Sequence, residues 1–76
     1  MGKPDNTELY RWLLAVLAEN QRNITHTANE MHYSRQTIKY HIKRIWDLTG
    51  KNPQDADDLA QLLKMDIFKT ENNGGG

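Results

Sequence analysis

Residues 23–45 read NITHTANEMHYSRQTIKYHIKRI, and the spacing within this stretch decides the fold. In its second half Ile38, Ile42 and Ile45 recur at intervals of four and three, which at about 100° per residue places them on one side of a helix. Gln36, Lys39, Tyr40 and Lys43 fall within the opposite arc. Because isoleucine belongs in a core, the geometry compels the amide, the phenol and the two lysines outward, with Arg35 beside them in the first turn and Arg44 on the flank. In the first half Ile24, Thr27, Ala28 and Met31 keep helical spacing over only about two turns, capped by Asn23 or Thr25. His32, Tyr33 and Ser34 interrupt the periodicity, and Ser34 is placed to cap a helix running from Arg35 to about Leu48. Ala28 is small where the two helices cross, and Ala28, Met31, Tyr33, Ile38 and Ile42 are expected in the buried positions of a helix-turn-helix.

Upstream, Asp5 and Glu8 have capping-box spacing and open a helix with the stripe Leu9, Leu13, Val16 and Leu17, broadened by Tyr10 and Leu14. It ends near Asn20, and Asn20, Gln21, Arg22 and Asn23 form a polar turn. Downstream, Gly50 supplies a C-terminal stop. Either Asn52 with Pro53 or Asp55 with Asp58 opens a fourth helix striped by Ala56, Leu59, Leu62, Leu63 and Ile67. Apolar residues nowhere alternate, so no strand is expected. Seventy-six residues at 37% hydrophobic content enclose one core and leave no room for a second domain. The expected architecture is all-α, a small four-helix domain over residues 6–68 between an N-terminal tail at 1–5 and a disordered C-terminal tail at 69–76.

Ten Lys plus Arg balance ten Asp plus Glu, so bulk charge points to no polyanionic partner. By segment the balance breaks: residues 35–51 carry a net +4 and residues 52–66 a net −3, a basic helix followed by an acidic one. The absence of cysteine excludes a disulfide framework, a thiol nucleophile and cysteine-ligated zinc, and makes a cytoplasmic location the default. The longest apolar run, Trp12 to Ala18, is seven residues, against about 20 for a bilayer span, so no membrane partner is expected. His26, His32 and His41 stand six and nine residues apart, which puts no pair one helical turn apart and argues against a metal. Ser34 and His41, seven residues apart on a solvent face, have no oxyanion pocket, so no enzyme is expected. No cofactor is expected either, since no Gly-rich loop follows a strand.

The outward side of the third helix suits a nucleic-acid duplex. Lys and Arg neutralise phosphates and release counterions, while Arg pairs bidentately with guanine and Gln with adenine. Arg35, Gln36, Lys39 and Tyr40 are therefore expected at base edges of double-stranded DNA, Lys43 and Arg44 at phosphates, and the second-helix start at Thr25 and His26 on the backbone. Thr37 either meets a phosphate or stabilises the first turn after Ser34. Trp12 and Trp46 are expected to cover the core edge. The alternative is a helical protein-interaction or oligomerisation module of the same fold that binds no DNA, its basic face docking an acidic partner or its own acidic fourth helix.

The stretch from Asn23 resembles the Fis-type helix-turn-helix. With its continuation IKRIWDLTGKNPQDADDLAQLL it resembles the C-terminal DNA-binding domain of the PucR and CdaR regulators of purine and sugar-diacid catabolism in bacteria, over roughly residues 9–68. The family pattern is matched by aliphatic Leu13 to Leu17, Asn23, Thr27 and Ala28, Arg35 to Tyr40, Lys43 to Ile45, the stop at Leu48 to Gly50, and Leu59 to Leu63. Two positions depart from it. Ser34, at a groove-contact position, stands where the family commonly has His, and His41 stands where Arg often follows the Tyr, with loss of a fixed positive charge. The resemblance implies sequence-specific DNA binding with the recognition helix in the major groove. It further implies an excised module of a bacterial transcription regulator, with an upstream sensing domain and a homodimeric functional state.

Overall fold

The computed structural model describes residues 6–65. Four helices follow one another, α1 (Asn6–Glu19), α2 (Ile24–Met31), α3 (Arg35–Thr49) and α4 (Ala56–Met65), with no strand among the described residues. The tails, Ile67 and the cap at Asp5 lie outside that range.

Local chemistry sets each boundary. Asn23, of the two candidates, caps α2, its side chain accepting from the His26 N–H at 2.9 Å. Ser34 caps α3 by accepting from the Thr37 N–H at 3.1 Å. At α4 it is Asp55 that acts, its carboxylate accepting from the Asp58 N–H at 3.0 Å, while Pro53 is buried in the preceding turn. The C-terminal ends use left-handed residues, which let the chain reverse while donating to the last carbonyls. Gly50 does so for α3 at φ 76°, donating to the Trp46 carbonyl at 2.8 Å. Without glycine, Gln21 at φ 53° and Arg22 at φ 63° close α1, and His32 at φ 62° closes α2. In both places the paired bonds are alike: Gln21 and Arg22 donate to Ala18 and Leu17, and His32 and Tyr33 donate to Asn29 and Ala28.

The core gathers Tyr10, Leu13, Leu14, Val16 and Leu17 of α1, Ala28 and Met31 of α2, Ile38, Ile42 and Ile45 of α3, and Leu59 and Leu62 of α4. Each buried aliphatic side chain stabilises the fold by about 1.5–3 kcal/mol. The helix α1 is the spine, packing against the other three, and α2 crosses α3. Among the described residues the acidic α4 approaches α1 closely and keeps its backbone apart from that of α3. Because it faces a single neighbour, two leucines suffice: Ala56 and Leu63, expected in its stripe, are exposed. Tyr33 is also displaced from its expected burial. The left-handed His32 swings it to the surface, where it stays 38% exposed.

Thr27 is fully buried, and its hydroxyl oxygen has no hydrogen-bond partner. Leaving such a group dry costs about 1–3 kcal/mol. Thr27→Val keeps the branched shape without the hydroxyl, so it is expected to raise stability by about 1 kcal/mol. Urea unfolding checks this; a destabilised variant would show that the hydroxyl is satisfied in solution.

Candidate nucleic-acid interface

The three isoleucines of α3 are buried, which turns the rest of the helix outward in the manner its spacing dictates. Arg35, Gln36, Lys39, Tyr40, Lys43 and Arg44 are all exposed, Tyr40 to 60%. The backbone of α4, among the described residues, stays clear of this side. A hollow of about 450 Å³ lies over Ser34, Arg35, Gln36 and Lys39, bringing four of the expected site residues to one place.

Ser34 and Thr37 sit at the head of the helix and hold each other. Besides accepting from the Thr37 N–H, the Ser34 hydroxyl donates to Thr37 Oγ1 at 2.9 Å. Both hydroxyls are thus engaged in the cap, and Thr37 is half-buried. Thr25 and His26 are exposed on the first turn of α2, where backbone N–H groups that lack intrahelical partners favour anions.

His41 does not extend the basic arc. Its ring lies against those of Tyr10 on α1, Tyr33 in the turn and Tyr40, at 5.7, 6.1 and 5.6 Å between centroids. Its Nδ1 is buried without a hydrogen-bond partner, and desolvation of the charged form holds the imidazole below its ordinary 6.5. The folded chain therefore keeps this ring neutral where the unfolded chain protonates it. This contribution to stability is whole above pH 6.5 and is lost as pH falls through 6.5 toward the lower folded value. His41→Phe is expected to flatten the stability curve in that interval, followed by urea unfolding between about pH 8 and 5. An unchanged slope would place the dependence elsewhere.

A second feature was not anticipated from the sequence. On the flank of α3, Lys39, Ile42, Lys43 and Trp46 face Asn52 and Gln54 of the α3–α4 connection across a groove of about 500 Å³. Trp46, expected at the core edge, stays 48% exposed here. The sole trace of it in the sequence is an amide-rich turn directly after a basic helix.

Among the described residues no helix is long and apolar enough to cross a membrane, and no cluster of His, Asp and Glu is suited to a metal ion. No curated protein and no solved structure matches the chain. A family model does: the one describing the PucR C-terminal helix-turn-helix domain matches residues 9–64, from the first turn of α1 to the end of α4. Most of the chain is covered, and the four helices are in place. The chain belongs to the family of PucR C-terminal helix-turn-helix domains.

Proposed function

We propose that the chain binds double-stranded DNA sequence-specifically, as the C-terminal module of a bacterial transcription regulator, with α3 in the major groove. Membership in the family supplies the DNA-binding regulatory role. The observation that carries the finer reading is the division of α3, with its isoleucines buried and its arginines, lysines and Gln36 exposed and uncovered by α4. Arg35, Gln36, Lys39 and Tyr40 read base edges, and Lys43 and Arg44 neutralise phosphates. Thr25 and His26 at the start of α2 anchor the backbone. Ser34 and Thr37 act at the rim, where the first turn of α3 meets the duplex.

One helix reads only a few base pairs, so the functional unit is a homodimer whose two modules stand about 34 Å apart on a two-fold operator. An upstream sensing domain of the longer parent, in the bacterial cytoplasm, controls it. The rival module that binds no DNA would dock its basic face on an acidic partner or on its own acidic helix; within the chain α4 lies on α1, which speaks against the second branch and leaves the first to the test below.

Selection of randomised duplexes by a covalently dimerised form tests the reading. A groove reader enriches a short motif repeated in two half-sites. A pool that stays random, although the protein retains it through charge, would overturn sequence-specific reading.

A further inference from the structure

The groove on the flank of α3 shares Lys39 with the hollow over the head of the helix, so the two adjoin at that side chain. Its walls differ in chemistry. Trp46 and Ile42 supply an apolar side, and Lys39 and Lys43 two cations that form no ion pair among the described residues. The opposite rim is held rigidly. Gln54 Nε2 donates to the Arg22 carbonyl at 3.1 Å, tying the α3–α4 connection to the base of α2. Asn52 Oδ1 accepts from the Gln54 N–H at 3.0 Å, and the Asn52 N–H donates to the Asp58 carboxylate at 3.0 Å. These bonds fix the Asn52 side chain with its Oδ1 occupied, and leave its Nδ2 donor as the group without a protein partner among the described residues. The one acid in the groove is Asp47.

We infer that this groove seats the sugar–phosphate backbone of one DNA strand, beside the duplex that α3 reads. Deoxyribose packs on the Trp46 ring, and the phosphate takes the Lys43 ammonium group and the Asn52 side-chain amide, while Lys39 at the groove's end stays with the base edges. The volume of about 500 Å³ lies within the range of about 300–1,000 Å³ that ligand-sized groups fill. The Gln54 bond to Arg22 sets the rim next to Asn23 and the first turn of α2, so a strand in the groove continues to the first turn of α2 at Thr25 and the His26 side chain. This inference rests on the DNA-binding reading above, and it adds Trp46, Asn52 and Gln54 to the interface.

Titration of the ¹⁵N-labelled chain with a duplex, followed by amide and indole NMR signals, tests it. The Trp46 indole N–H and the Asn52 side-chain amide are expected to shift with α3, while the Trp12 indole on α1 stays in place. Trp46→Ala is expected to weaken binding about 3- to 10-fold on every sequence alike, without altering base preference. Asp47→Asn is expected to strengthen it about 2- to 5-fold, most at low salt, whereas Asp57→Asn on α4 changes it less. Shifts along Arg35 to Lys43 with a stationary Trp46 indole would sink the groove assignment and leave α3 as the reader. Absence of any shift would remove both readings.

Discussion

Replacing Ile38 with alanine is expected to cost about 3–4 kcal/mol, a large share of the stability of so small a domain. Ile38 is fully buried, on the inner side of α3 near its head. Truncation removes the transfer term and opens a void that the packed neighbours cannot close, a loss of about 2–5 kcal/mol for this kind of change. A domain of 76 residues has about 4–11 kcal/mol in total at ordinary values per residue. At about 4–8 °C per kcal/mol, the melting midpoint falls by about 12–30 °C. Thermal melts by circular dichroism read this directly. A fall of a few degrees would mean that α3 is not seated by its isoleucines, and the outward face of the helix would lose its foundation.

The second large effect concerns that face. Arg35→Ala is expected to cost about 1–3 kcal/mol on a preferred duplex and to relax discrimination at one base position, because a guanidinium paired with a guanine edge contributes to one sequence and not to others. Lys43→Ala behaves differently. It is expected to weaken all sequences alike and to reduce the slope of log affinity against log salt by about one, the mark of a single lost phosphate contact. Both residues are exposed on α3, so neither change threatens the fold. Fluorescence anisotropy over a salt series, with two competing duplexes, separates the two behaviours. If both variants bind as tightly as the parent chain, α3 is not the reading element.

The parts of this molecule that could be read beforehand are those whose cause is local. Asn23, Ser34 and Gly50 terminate helices through their own side chains or lack of one, and three isoleucines at intervals of three and four leave a helix only one way to face. The left-handed backbone at Gln21, Arg22 and His32 could not be read, because no glycine marks it. It is imposed by the bonds that close α1 and α2, and it carries Tyr33 out of the core. Leu63 was misplaced because stripe width depends on how many neighbours a helix has, which spacing alone does not reveal. The groove is the extreme case. Its rim depends on a bond between Gln54 and Arg22, 32 residues apart in the chain, and no window of sequence contains both. His41 likewise turns toward Tyr10 because α1 lies beside α3, a fact of assembly rather than of spacing.

The placement of α4 on α1, away from α3, bears on how the chain meets its target. A body with no net charge is drawn only weakly to a polyanion from afar, yet it experiences a torque when its opposite charges are held apart on separate helices. Near DNA the basic helix swings inward and the acidic one trails. On the proposed reading, encounters are aligned without being prolonged, random sequence detains the chain briefly, and the close-range contacts decide where it stays.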